Sequence, residues 1–158
     1  MINHNLGVNI NKYKNPNIIK VISPLIEIPK IKRYKKEGVF VAIGAVDNKG
    51  VILKLIKIAK KKLNIYTTSQ NKNLKKLKRL AKIYKHNLYI DKDTKIGMLK
   101  SEFGIITPSV LSYEALALDL KFIAIQTVKN QTQIAKYLKK KRIKVIDYKR
   151  LYKLKGKI

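Results

Sequence analysis

The chain has 158 residues, of which 37 are lysine or arginine and 9 acidic, giving a formal net charge of +28, with no cysteine and 2 histidines. That length suits one domain able to bury about two-thirds of its unfolded surface. The composition excludes disulfides, thiol catalysis and cysteine or histidine metal centres, and no apolar run approaches the roughly 18 residues of a membrane span, so a cytoplasmic protein without metal or other cofactor is expected.

Residues 1–37 begin polar and asparagine-rich, unlike a signal peptide, and read as an N-terminal extension ahead of a single domain at 38–158. From there, short apolar runs alternate with helical patterns, as in a parallel α/β sheet covered by helices on both faces. Residues 39–43 make the first strand, and 50–62 a helix with Ile52, Leu55, Ile56 and Ala59 on its inner face. The second strand is 63–67. Asn71 or Asn73 can cap a helix running to about residue 85, with Leu74, Leu77, Leu80, Ala81 and Tyr84 on one side and lysines on the other. His86 reads as the C-terminal cap of that helix. Residues 87–90 form the third strand, followed by a short helix over 94–100 capped by Asp93. A fourth strand at 104–106 is broken by Thr107, Pro108 and Ser109, after which Leu111, Ala115, Leu116 and Leu118 recur at helical spacing. Strands at 122–125 and 144–146, joined by a helix from about 130 to 141, complete a sheet of about six strands, a Rossmann-like arrangement.

Right-handed crossovers place every strand's carboxyl end on one side of such a sheet, the edge where ligands bind. That edge collects Gly44 to Asp47, Thr67 to Ser69 with Thr68 in the polar turn Tyr66 to Ser69, Ile90 to Asp91, Thr107 to Ser109, and Thr127 to Gln131. The strand-loop-helix passage at 104–118 is the most informative. Backbone N–H groups of Ser109, Val110 and Leu111, at the positive end of the helix dipole, can hold a phosphate without any basic side chain. Glu114, one turn further on, can accept hydrogen bonds from two neighbouring ribose hydroxyls. Plainer roles stay open: a tight turn for Gly44, helix caps for Asp47, Ser109, Asn130 and Gln131, and a dipole-favoured position for Glu114.

The charge suggests a second reading. A chain this basic binds polyanions non-specifically at low salt, and Tyr84, Tyr137, Tyr148 and Tyr152 lie among lysines, so a basic module contacting RNA or anionic surfaces is the alternative. Against it, only Arg33, Arg79, Arg142 and Arg150 are arginine, the forked group suited to phosphate and base-edge recognition. Lysine arrives instead with isoleucine and asparagine, the trio of an AT-rich coding sequence.

Four segments carry a family resemblance: Gly44-Ala45-Val46-Asp47 after the first strand, Asn71 to Leu77 opening the basic helix, Ser109 to Leu118, and Val128-Lys129-Asn130-Gln131. In this order they resemble the C-terminal nucleotide-binding domain of the UDP-sugar hydrolases of pseudaminic acid biosynthesis, of the glycosyltransferase family 28 C-terminal type, one half of a GT-B fold. The resemblance covers about residues 38 to 152, and more faintly 1–37 as an interdomain connection. It implies UDP or a UDP-sugar as ligand, with contacts from Gly44, Asp47, Thr68, Ile90, Ser109, Val110, Leu111, Glu114, Asn130 and Gln131. The family pattern at the first loop is Gly-Gly-x-Asp, and Ala45 replaces its second glycine. Val110 and Tyr113 stand where the family has serine and asparagine. The resemblance further implies that a histidine in a glycine-rich loop of an N-terminal domain activates water. No Gly-x-Gly-His segment occurs here, so no catalytic residue is assigned, and a separate N-terminal half-domain becomes a candidate partner.

Overall fold

The computed structural model describes residues 34–158 together with the backbone of β1 (Ile2–Asn3) and β2 (Ile19–Lys20), which pair in parallel. Most of the extension expected at 1–37, including His4, lies outside the described residues.

Alternation along β3 (Val39–Ala42) sets the architecture, because every residue of this strand is buried. Val39 and Val41 point into one core and Phe40 and Ala42 into another, as a strand covered on both faces requires. There follow α1 (Val51–Ile58), β4 (Leu63–Thr67), α2 (Leu74–Ile83), β5 (Asn87–Ile90), α3 (Thr94–Leu99), β6 (Phe103–Ile106), α4 (Val110–Ala117), β7 (Phe122–Gln126), α5 (Thr132–Lys140) and β8 (Val145–Asp147). Six strands pair in parallel in the order β5-β4-β3-β6-β7-β8. The first core joins the sheet to Ile52, Leu55 and Ile56 of α1 and Leu77 and Leu80 of α2. The second holds Met98 of α3, Ala115 of α4 and Leu138 of α5. Each fully buried leucine, isoleucine or methionine among these contributes about 1.5–3 kcal/mol of hydrophobic stabilisation. The result is a Rossmann-like sheet with helices on both faces, consistent with one half of a GT-B fold. Its strand order reverses between β3 and β6, the place where open α/β sheets form a crevice. Among the described residues no helix is long and apolar enough to cross a membrane.

The expected strands are present, and the departures are at helices. α1 stops at Ile58, short of 62, because the Lys60 amide leaves the helix to donate to the carbonyl of Ile158 at 2.6 Å. Neither asparagine side chain caps α2: Asn71 instead accepts from the Asn73 amide and donates to Thr67 Oγ1, both at 2.9 Å, fixing the turn ahead of the helix. α5 begins after a 3-10 turn at Lys129–Gln131. A C-terminal 3-10 segment, Tyr148–Leu154, buries Leu151 and Leu154 and was not apparent from periodicity. Of the apolar face expected for α4, Ala115 is buried and Leu111 and Leu118 pack against the second core, but Leu116 is exposed. The helix also buries Ser112 and Tyr113, Ser112 Oγ being anchored inward, donating to the Thr107 carbonyl at 2.9 Å.

His86 closes α2 with its backbone rather than its ring. Its amide donates to Ala81 O at 2.8 Å and that of Lys85, at φ 56°, to Lys82 O at 3.3 Å, a Schellman ending. The ring accepts the Leu63 amide through Nδ1 at 3.2 Å, which places the proton on Nε2, facing the Ile56 carbonyl at 3.4 Å. Burial lowers the pKa of this imidazole below its ordinary 6.5, opposed by the Ile56 carbonyl. A depressed folded pKa means that the unfolded chain takes up the proton first as the pH falls. The ring's contribution to stability is therefore complete above about pH 6.5 and is lost as the pH falls through the folded value. Urea midpoints measured from pH 7.5 to 5 should fall in the wild type and fall less in His86→Asn, whose side-chain carbonyl can still accept from Leu63.

Gly97 of α3 lies against the ring of Tyr66, and an added Cβ would overlap Cζ and Cε2, well inside van der Waals separation. Tyr66 cannot swing aside, since it stacks on Tyr89 with ring centroids 4.6 Å apart and leans on Phe40 at 5.0 Å. Gly97→Ala should destabilise the domain by about 1–3 kcal/mol, the usual cost of overpacking, read as a lowered thermal midpoint.

Candidate functional site

At the carboxyl edge, where the strand order reverses, the loop after β3 forms a ridge at Gly44 and Ala45 that borders two depressions. The first, about 320 Å³, has Ala42 and Tyr66 toward the sheet and is walled by the turn ahead of α3 and by the first turns of α4. The second, about 340 Å³, lies between the ridge and the loop after β7. Gly44 and Ala45 line both. Of the residues expected in the site, Thr68, Ser109, Val110, Leu111 and Glu114 join Gly44 in the first depression, and Asp47 and Gln131 join it in the second. Ile90, half-buried at the end of β5, and Asn130, exposed in the 3-10 turn, line neither.

Local hydrogen bonding decides what each group has left to offer. Gly44 has φ 60°, and an added Cβ would meet nothing within 4 Å, so glycine is needed there for conformation. The Thr68 hydroxyl donates to the Ala45 carbonyl at 2.7 Å and so holds the ridge. Asp47 is buried, its two carboxylate oxygens accepting the amides of Val51 at 2.8 Å and Ile52 at 2.9 Å. Asp47 is not the N-cap of α1, which is Gly50, but from three residues ahead it satisfies two first-turn amides that the helix leaves open. Burial raises its pKa above the ordinary value, opposed by those two amides and by Lys54. Gln131 likewise turns back on its own loop, where Oε1 accepts from Thr127 N at 2.8 Å and Val128 N at 3.4 Å.

At the head of α4, Ser109 Oγ lies 3.0 Å from Thr107 Oγ1, and the Ser109 amide points to Ser112 Oγ at 3.4 Å. The next two amides, of Val110 and Leu111, have no acceptor within the helix, as first-turn positions lack one. They open beside the first depression together with Glu114. Glu114 is half-buried, and its Oε2 accepts from Thr94 Oγ1 at 3.1 Å. The other oxygen, Oε1, meets no donor among the described residues. An anion at the amides and a hydroxylated group at the carboxylate can therefore be held side by side.

Tyr66 and Asp91, both expected near this edge, line the first depression, and Ala42, Lys92 and Thr94 were not anticipated. Lys92 and Thr94 follow the carboxyl end of β5, so the rule that picked the other loops reaches them too. Asp91, at φ 51°, accepts the Ser69 amide through Oδ1 at 3.0 Å and braces the neighbouring loop. The tyrosines of the alternative reading are dispersed. Tyr137 has Lys141 over its ring, and Tyr148 has both Lys49 and Lys54; Tyr84 and Tyr152 are the exposed pair.

No family model matches the chain. It is 40% identical over 125 residues to the UDP-2,4-diacetamido-2,4,6-trideoxy-beta-L-altropyranose hydrolase of Campylobacter jejuni subsp. jejuni serotype O:2, a match covering 76% of the chain and 45% of the hydrolase. The chain thus spans less than half the length of that relative. Identity this high over 125 residues reflects common ancestry: over the matched stretch the protein is a homologue of a UDP-sugar hydrolase.

Proposed function

We propose that the domain binds UDP or a UDP-sugar across the two depressions at the carboxyl edge. The observation that carries this reading is the shared cavity of Glu114, with one carboxylate oxygen free, and the open amides of Val110 and Leu111, in a homologue of a UDP-sugar hydrolase. In it Glu114 holds the ribose, and the amides of Val110 and Leu111 hold the pyrophosphate, with the Ser109 amide turned toward Ser112. Ile90, beside the cavity, is left to the base. The distal phosphate or sugar passes over Ala45 into the second depression, toward Gln131 and the exposed Asn130. Gly44, Thr68 and Asp47 act by shaping the ridge and the head of α1.

Under this reading UDP binds more tightly than ADP, and Glu114→Ala weakens UDP by about 1–3 kcal/mol, the range for losing a charged hydrogen-bond partner. Titration calorimetry measures both. Equal affinities for the two nucleotides would refute a site selective for the uracil base, and an unchanged Glu114→Ala variant would remove Glu114 from a ribose-binding role.

We further propose that these residues alone do not hydrolyse the sugar nucleotide. General-base assistance is worth roughly 10² to 10⁴ in rate and needs a group within hydrogen-bond reach of water. Neither depression is lined by a histidine, and the His86 ring is bonded at the amino end of β4, the opposite edge of the sheet. A partner half-domain of GT-B type would bring the base, and its closure the orientation. UDP release from the diacetamido sugar nucleotide should be undetectable with this chain and appear when the N-terminal half of the Campylobacter hydrolase is added. Turnover by the chain alone that survives loss of both His4 and His86 would refute this assignment.

A further inference from the structure

Glu114 is a lone carboxylate on the first turns of a helix and half exposed, so holding a ribose requires that it be kept in one orientation. A glutamate side chain has three rotatable bonds, and ordering it on binding costs affinity. Here one group restrains it. Thr94, the first residue of α3, donates its hydroxyl to Glu114 Oε2 at 3.1 Å, joining two helices that both line the same cavity. Thr94 is itself kept in place by the capping of α3, in which Asp93 Oδ1 accepts the Lys95 amide at 2.9 Å. It also lines the cavity, as do Lys92, Val110 and Leu111.

Resting on the proposed nucleotide site, we infer that Thr94 is a positioning residue that makes the site selective for ribonucleotides over deoxyribonucleotides. Its hydroxyl can spend its single proton on Glu114 Oε2, which fixes the carboxylate plane and turns Oε1 to the cavity as the acceptor for a sugar hydroxyl. An oriented acceptor gains from a hydroxyl what a freely rotating one loses to entropy, so the discrimination depends on the tether as much as on the charge. Valine matches threonine in shape and lacks the donor.

The experiment compares UDP with 2′-deoxy-UDP on the full chain by calorimetry, in the wild type, Thr94→Val and Thr94→Ser, with thermal midpoints recorded for each. The wild type should prefer UDP by about tenfold. Thr94→Val should lose most of that preference by weakening UDP while leaving 2′-deoxy-UDP nearly unchanged, and Thr94→Ser should restore it. A merely structural role would weaken both nucleotides together, in step with a lowered midpoint, and would overturn the inference. So would a Thr94→Val protein that keeps the wild-type preference. Failure of the wild type to bind either nucleotide would instead sink the nucleotide site itself, and this inference with it.

Discussion

The central constraint is that β3 is buried on both faces and hydrogen-bonded along both edges, to β4 on one side and β6 on the other. A strand so enclosed has no freedom of register, because slipping by one residue would exchange Val39 and Val41 with Phe40 and Ala42 between cores of different shape. The two directions in which the sheet then grows leave the carboxyl ends of β3 and β6 side by side with their helices on opposite faces. The middle of the site hangs from those two strand ends, with the loops after β4, β5 and β7 around it. The ridge at Gly44 and Ala45 continues β3, while Thr107, Ser109 and the head of α4 continue β6.

Small polar groups around that edge are committed largely to each other rather than to solvent. Asp47 spends both oxygens on α1, Thr68 holds the ridge, Gln131 closes its own loop, and Ser112 ties α4 back to Thr107. Such bonds contribute about 0.5–1.5 kcal/mol each to stability, and their larger effect is to fix where the uncommitted groups lie. The amides of Val110 and Leu111 and one oxygen of Glu114 remain, a short set of the kind that orients a ligand within a mainly apolar pocket. Preorganisation of this sort lowers the entropy lost when a ligand binds.

The strong positive charge is carried elsewhere and does little for the fold. Among the described residues a single ion pair is present, Lys61 with Glu102 at 3.2 Å, between exposed side chains, and pairs of that kind are worth about 0–1 kcal/mol. Lysines instead cover the outer faces of α2 and α5, where long aliphatic stems lie along apolar surface and the ammonium groups stay hydrated. Self-repulsion among them is a cost that the two cores must offset.

Strand positions were legible in the sequence because the strands are short, mainly apolar runs bounded by polar residues, most plainly the fully buried Val39–Ala42. The parallel order made the carboxyl edge predictable, and with it Ser109, Val110, Leu111 and Glu114 as neighbours. What periodicity misread was α4, where Leu116 faces out and Ser112 faces in. A serine bonded to a loop carbonyl five residues back leaves no signature in an apolar pattern. The same limit applies to Asp47 and Thr94. Sequence placed Asp47 at a strand end and Thr94 at a helix start, but whether the first serves a helix or a ligand, and which side chain the second reaches, depends on distances set by separate elements packing together. Short-range pattern specified the elements and the edge; the pairing of Thr94 with Glu114, 20 residues apart, was decided only when α3 and α4 came to lie on the same face of the sheet.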